Sequence, residues 1–471
     1  MYLNLNEMQI QNDLRPGDLK KALEHLWELS GQKILQIRRE YDVKQGSPVF
    51  TRDGKYTTRG WTEWTQGFQF GGEIIQFDAT GDQQFLEMGR ESTLKLMAPH
   101  ITHMGVHDHG FNNVSTYGAL KRLYMEGRIE SCEWERSFYD LALKCTGAIQ
   151  AMRWTRTACG RGFVYSFNGP HSLFIDTIRS MRALAISHQL GHILYSEHDE
   201  PVSLLERMLQ HIDATASYSV FYGEGRDAYD IRGRTVHEAI FNTNDGQFRC
   251  PGTQQGFSPF TTWTRGLAWA MCGFAEQLEF LEVTGDKELE STGGREYLES
   301  LMLKAARATC DFYIENTSRD GIPYWDTGAP KLQNLGDYTG KDADPYNDHE
   351  PVDSSAAAIG AQGLLRLGRY LARRGQDEDG GRYWQAGLTV SKTLLEEPYL
   401  SVESEHQGLL LHSVYHRPNG WDHIPPGKKV PCNESSMWGD YHIRELALYL
   451  GRIVNDAPYY TFFGGAEKLT E

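Results

Sequence analysis

Two turns of nearly matching sequence constrain this chain more than any other feature. Ala79-Thr80-Gly81-Asp82 and Val283-Thr284-Gly285-Asp286 each read as a junction between two helices. Gly suits the left-handed position that ends one helix, and Asp suits the cap that starts the next. The helix before each turn is crowded with small and aromatic residues: Gly67-Phe68-Gln69-Phe70-Gly71-Gly72 in one case, the stretch from Trp263 to Phe280 in the other. The helix after it is charged and amphipathic, over 83–97 and 287–309. Helices with neighbours on both sides need small residues for close approach, whereas outer helices keep one wet face. Asp353-Ser354-Ser355-Ala356-Ala357-Ala358 opens a third small-residue unit behind an Asp/Ser cap. The alternation predicts a ring of inner and outer helices, and a generic helical bundle is the plainer alternative.

The rest of the chain agrees with an all-α fold. With Asp18 as N-cap, apolar residues recur at Leu19, Leu23, Leu26, Leu29, Ile34 and Ile37, a core-facing helical stripe. No run of alternating β-branched residues announces a large sheet. There is no linker or low-complexity segment, so residues 1–471 read as a single domain. Gly-, Pro- and Asp-rich loops at about 221–262, 318–352 and 415–440 are long for a helical domain, and loops of that kind are usually functional. In a helical ring they would gather at a rim and build a cleft.

Charge and cysteine usage remove several function classes. Against 47 Lys and Arg stand 63 Asp and Glu, a formal charge of −16, which disfavours phosphate-backbone binding and hence a nucleic-acid partner. The same charge repels an anionic substrate at long range, so such a substrate needs a local basic pocket. No stretch is long and apolar enough to span a membrane. The opening residues MYLNLNEMQIQND lack the basic and apolar regions of a signal peptide, although a trimmed chain would look the same. Seven dispersed cysteines with no CxxC pair read as reduced thiols, so the expected compartment is the cytoplasm.

Trp61, Trp64, Phe68, Phe111, Tyr117, Trp263, Trp269, Trp325, Trp421 and Trp438 all sit beside Gly, Asp, Asn or Arg. Aromatic faces beside polar groups suit pyranose rings, whose C–H faces stack while their hydroxyls need directional partners; core packing is the alternative for each ring. Asp176 follows Leu173-Phe174-Ile175, an apolar run that would raise its pKa and let it keep a proton near neutrality, as a general acid must. A buried structural aspartate or a helix cap fits the same pattern. Asp108 lies between His107 and His109; a metal site is conceivable there, but the i, i+2 spacing points the two rings apart on a helix, so neither metal nor cofactor is expected. Arg265, in Trp263-Thr264-Arg265-Gly266, and His237 are candidate anion partners, Arg265 with a planar fork suited to a carboxylate, though an ordinary salt bridge would also use it. No nucleophile elbow, P-loop or dinucleotide fingerprint is present.

Seven motifs in one order resemble the unsaturated glucuronyl hydrolases, glycoside hydrolase family 88, from about Trp61 to Leu450. They are Trp64-Thr65-Gln66-Gly67-Phe68, His107-Asp108-His109-Gly110-Phe111, Phe174-Ile175-Asp176, the stretch from Gln255 through Trp263 and Arg265 to Trp269, Pro323-Tyr324-Trp325-Asp326, the Asp353 unit, and Glu434-Ser435-Ser436-Met437-Trp438-Gly439-Asp440. The resemblance implies an (α/α)6 barrel, a six-hairpin toroid with long rim loops. It implies a glycosidase that takes a 4,5-unsaturated uronic acid from the non-reducing end of lyase-generated oligosaccharides, by hydrating the C4=C5 double bond. By motif, Asp176 is the general acid/base and Asp108 the second carboxylate, which would hold a sugar hydroxyl and help keep Asp176 protonated. Trp64, Phe68, Trp263 and Trp269 become stacking walls. His237, Gln255 and Arg265 become uronate ligands, with His107 and Trp438 also in the substrate-binding set. Gln69, Leu267 and His109 depart from the family pattern. The alternatives are an unsaturated rhamnogalacturonyl hydrolase of the related barrel family and a catalytically silent sugar-binding toroid.

Overall fold

A computed structural model of the chain describes residues 8–60 and 64–464, so Trp61 lies outside the described residues. Among the described residues twelve long helical stretches follow one another. They are α1 (Lys20–Glu40), α2 (Gln66–Thr80), α3 (Gln83–Leu96), α4 (His109–Asn113, a π turn Val114–Gly118 and Ala119–Met125), α5 (Glu133–Met152), α6 (Thr177–Ser180 and Arg182–Gln189), α7 (Leu204–Ala214 with a π turn Thr215–Ser219), α8 (Thr264–Glu282), α9 (Gly294–Asn316), α10 (Ser354–Ala372), α11 (Asp377–Leu394) and α12 (Met437–Val454). The even-numbered helices form the inner ring. α2 packs on α4, α4 on α6, α6 on α8, α8 on α10, α10 on α12, and α12 returns to α2. Each odd-numbered helix lies outside, α3 against α2, α9 against α8 and α11 against α10. The barrel is (α/α)6.

Burial separates the two rings as the alternation predicts. Every residue of α8 from Thr264 to Leu281 is buried, whereas α3 buries only Phe85, Leu86, Gly89, Ser92 and Thr93. Small residues let the inner backbones touch: a Cβ on Gly67 would stand 2.3 Å from the Asn112 carbonyl oxygen of α4. The first matched turn is built as expected. Gly81 takes φ 75° at the end of α2, and the Asp82 carboxylate accepts the Gln84 N–H at 3.0 Å.

The second matched turn differs. Gly285 is extended (φ −72°, ψ 143°) and caps a short helix, Asp286–Leu289, in which Glu288 accepts the Gly285 N–H at 3.1 Å. The amphipathic stretch is then interrupted where α9 begins, at its cap Gly293 and first residue Gly294, whose φ are 105° and 82°. Asp18 does not cap α1 either. Pro16 starts a 3-10 turn, Pro16–Leu19, and the Asp18 carboxylate closes it by accepting the Arg15 N–H at 2.8 Å.

Among the described residues nine short strands occupy the connections. Five of them, in two sheets, matter for the site: the hairpin of β1 (Pro48–Arg52) and β2 (Lys55–Thr58), and the antiparallel sheet of β3 (Ser172–Phe174), β4 (Glu238–Phe241) and β5 (Phe248–Gly252), ordered β3-β4-β5.

Charge inside the ring is paired. Arg179 of α6 donates to Glu276 of α8 (3.0 and 3.1 Å) and to Glu445 of α12 (2.7 Å). Toward the other end of the inner helices, Asp78 of α2 binds Arg122 of α4 and Arg452 of α12. Among the described residues no helix is long and apolar enough to cross a membrane.

Gly67→Ala is expected to cost about 1–3 kcal/mol through overpacking against the α4 backbone. Gly381→Ala, at an exposed α11 position with nothing within 4 Å of the new Cβ, is expected to be neutral or to stabilise by about 0.5–1 kcal/mol. Thermal melting of the two variants checks the contrast, and equal midpoints would contradict the close α2–α4 approach.

Candidate active site

An open pocket of about 250 Å³ sits over the N-terminal ends of the inner helices α2, α4, α6 and α8. Trp64 lies just before α2, Asp108 just before α4, Asp176 just before α6, and Trp263 just before α8. The unpaired N–H groups there give that end of the barrel a positive potential within about one helical turn.

Asp176 reaches the pocket because β3 ends two residues earlier, paired with β4 in the register Phe174↔Glu238. The Ile175 N–H donates to the His237 carbonyl at 3.0 Å, extending the pairing to the residue beside the acid. Asp108 is placed by its neighbour: the His107 carbonyl accepts from Ser180 Oγ (2.7 Å) and Gln150 Nε2 (2.9 Å), and Ser180 Oγ also accepts the Gly110 N–H (2.8 Å). Ser180 thereby fixes the start of α4 against α6.

One imidazole stands between the carboxylates. His107 Nε2 lies 3.2 Å from Asp176 Oδ1 and 3.6 Å from Asp108 Oδ1. Its Nδ1 accepts the Phe167 N–H at 3.3 Å, so in its neutral form the ring carries its proton on Nε2, facing the acids. Burial lowers the His107 pKa, but Asp108 and Asp176 more than reverse this and leave it raised. Burial likewise raises Asp108, which His107 only partly offsets, and the Asp176 charge adds to the rise. For Asp176, burial acts upward but the His107 hydrogen bond and charge overcome it, leaving the pKa below its ordinary value. The sequence reading had Asp176 as the proton-holding acid. His107 reverses the order: it bonds to Asp176 and holds that carboxyl low, while Asp108, which it does not bond, is the one that burial raises.

The aromatic expectations divide. Trp64, Trp263 and Trp269 line the pocket together with Phe111. Phe68 and Trp438 do not: each is fully buried one layer behind, Phe68 edge-on to Trp64 at 5.6 Å and Trp438 stacked on it at 5.0 Å. Trp438 Nε1 is held by Ser355 Oγ (3.0 Å), so the ring braces the wall from outside the pocket. Tyr117 is core, its hydroxyl on the Thr93 carbonyl, and Trp325 is tied down by Glu350.

The expected uronate ligands also change. Arg265 lines the pocket but is already spent on Asp353 Oδ2 (2.8 Å), the Val414 and Tyr415 carbonyls and Gln255 Oε1 (3.1 Å). It pairs there because Asp353, the α10 cap, is buried beside it. His237 sits behind the lining between Phe174 and Trp263 (4.3 and 4.9 Å), and burial pulls its pKa down to about 4, so it is neutral at neutral pH. Its Nδ1 accepts the Gln254 N–H (2.9 Å), while its buried Nε2 has no partner among the described residues. His109 turns away to the His103 carbonyl (3.0 Å), so the three residues 107–109 do not converge on one point.

Sequence reasoning missed Arg59, Gly60, His103, Val106 and Phe167, which complete the lining. A signal for Arg59 was present: Arg59-Gly60-Trp61 repeats the Arg, Gly and Trp association that singled out Arg265. Of the three long loops, 221–262 supplies Gln255, and 318–352 acts as a buttress, with Asp326 accepting the Phe257 N–H at 2.8 Å.

The barrel and its pocket place the chain among (α/α)6 toroids. No family model matches it. It is 25% identical to the unsaturated glucuronyl hydrolase of Bacillus sp. strain GL1 over 419 residues, 86% of this chain and 90% of that protein. The fold is also that of the crystal structure of unsaturated glucuronyl hydrolase from Bacillus sp. GL1, described as responsible for the degradation of glycosaminoglycan (TM-score 0.67, 20% identity, 91% of this chain and 97% of that one). A Streptococcus agalactiae unsaturated glucuronyl hydrolase variant, complexed with dGlcA-GalNAc6S, aligns with TM-score 0.60 at 19% identity, over 90% of each chain. The chain thus resembles the unsaturated glucuronyl hydrolases.

Arg265→Leu leaves Asp353 buried without its partner and is expected to lower stability by about 3–5 kcal/mol. Urea unfolding measures this, and an unchanged midpoint would contradict the structural role.

Proposed function

We propose that the protein removes a 4,5-unsaturated uronic acid from the non-reducing end of oligosaccharides left by polysaccharide lyases, by hydrating the C4=C5 double bond. One observation carries the reading. Two buried carboxylates share one imidazole inside a tryptophan-walled pocket of about 250 Å³. The likeness to unsaturated glucuronyl hydrolases supports the substrate class.

In this reading Asp176 gives a proton to C4, a water oxygen bonds to C5, and the proton lost by that water returns to Asp176. The C5 hemiketal then opens and the leaving sugar departs. Asp176 is ionised in the free enzyme, so it must gain its proton in the complex. The uronate supplies the drive, since a nearby negative charge and further loss of water both raise a carboxyl pKa. Asp108, whose pKa burial raises, holds a sugar hydroxyl by a hydrogen bond. Trp64 and Trp269 are the stacking walls. Attraction of the anion falls to the positive ends of the inner helices, and the unpaired His237 Nε2–H is a neutral donor one layer behind.

Loss of the ultraviolet absorbance of the double bond tests the proposal on a panel of lyase-derived disaccharides. Asp176→Asn is expected to lower turnover by roughly a hundred- to ten-thousand-fold. Turnover confined to pectin-derived unsaturated disaccharides would select the rhamnogalacturonyl alternative. Binding without turnover by the wild type would select a sugar-binding toroid.

The pH dependence has a defined sign. kcat/KM reports the free enzyme, where Asp176 is held low, so it falls as pH rises through that depressed value. kcat reports the complex, where the bound uronate raises Asp176, so its alkaline limb lies at higher pH. Coincident limbs would contradict proton uptake on binding.

A further inference from the structure

Resting on that reading, the geometry points to Arg59 as the receptor for an anionic group, a sulfate ester or a carboxylate, on the sugar that leaves. Arg59 follows β2 and lines the pocket with Gly60 at the rim. Its guanidinium carbon sits 3.7 Å from the centre of the Trp421 ring and 5.2 Å from that of Tyr415. Stacking of this kind fixes the plane of the guanidinium and leaves its N–H edge free for a bidentate anion contact. Among the described residues Arg59 makes no ion pair and no side-chain hydrogen bond.

Among the described residues, the acids of this rim are engaged elsewhere. Asp53 Oδ1 bonds to His423 Nε2 at 3.0 Å, and Glu434 accepts the Asp53 N–H at 2.8 Å. Asp422 accepts the backbone N–H groups of Tyr415 and His416. Arg265, the other arginine of the lining, is consumed by Asp353. Arg59 is therefore the uncompensated cation of the described lining.

Depth decides which part of the substrate it meets. Asp108 and Asp176 are 8% and 7% exposed, whereas Arg59 is exposed and Trp421 is 39% exposed. The double bond must lie against the buried acids. The uronate carboxylate is attached to C5, one of the two double-bond carbons, so it lies deep as well. C1 and the sugar it carries extend outward to the rim. A chain of rings, Trp64–Trp438–Tyr415–Trp421 at 5.0, 5.3 and 5.2 Å, joins the pocket wall to that rim and holds the platform on which Arg59 rests.

The test compares kcat/KM for unsaturated disaccharides that differ only in the second sugar: neutral, sulfated or carboxylated. The ratio of anionic to neutral substrate is read for wild type, Arg59→Ala and Arg59→Lys. In the wild type the ratio exceeds one and falls with added salt. Arg59→Ala lowers it by about tenfold or more, chiefly through KM, and Arg59→Lys lowers it less because charge remains while the fork is lost. The larger of the sulfate and carboxylate ratios identifies the anion. A merely structural Arg59 would depress all substrates alike and leave the ratio unchanged, which would overturn the proposal, as would a wild-type preference for the neutral sugar. No turnover of any of the three would instead overturn the hydrating reaction on which the proposal rests.

Discussion

The buried guanidinium of Arg179 is the interaction on which the barrel and its site jointly depend. It ties α6, α8 and α12 together through Glu276 and Glu445, across the axis of the inner ring. Burial alone would raise both carboxyls, yet Arg179 and Arg182 hold them below their ordinary range, so the charges remain and the pairing is maintained. Arg179 also lies 5.8 Å beneath the Trp269 ring and three residues after Asp176. The same side chain that closes the ring therefore supports a pocket wall and sets the helix that presents the acid. Removing one partner from such a cluster leaves an uncompensated buried charge, the costly way to break an ion pair.

The pocket solves an electrostatic problem posed by the net charge of −16. At its floor formal cations are not the main resource, since Arg265 is neutralised by Asp353, His237 is uncharged and Arg59 stands out at the rim. Backbone dipoles take their place, with four inner helices ending at one cavity. That arrangement attracts an anion without placing a free cation beside the acids, where it would depress their pKa further. His107 then divides the two carboxyls: the one it bonds is ionised and the other keeps its proton more readily.

How much of this was legible in the sequence follows from the range of each interaction. The ring was legible because it is encoded locally. Small-residue helices, the Gly81-Asp82 junction and the Asp353 cap are all short-range signals, and the Asp353 carboxylate does accept the Ser355 and Ala356 N–H groups. The pocket residues Asp108, Asp176, Trp64, Trp263 and Trp269 were reachable from motif order. Their protonation was not, since the apolar run before Asp176 says nothing of a histidine sixty-nine positions earlier that bonds to it. The fate of Arg265 was hidden for the same reason: its partner Asp353 is eighty-eight residues away. Gly285 failed differently, because Glu288 supplied a local alternative for its N–H that the Thr-Gly-Asp pattern does not reveal.

The contact between α12 and α2 sets an order of assembly. Of the six inner helices, α12 is the last to be synthesised, and it is the one that meets both α10 and the first inner helix, α2. Until it emerges from the ribosome, Asp78 lacks Arg452 and Glu276 and Arg179 lack the third member of their cluster. The nascent chain must therefore wait as an open arc of helix pairs with polar groups bared along its seam. Completion comes in one late, long-range step, and contacts of that kind form slowly and leave an open seam exposed until they do.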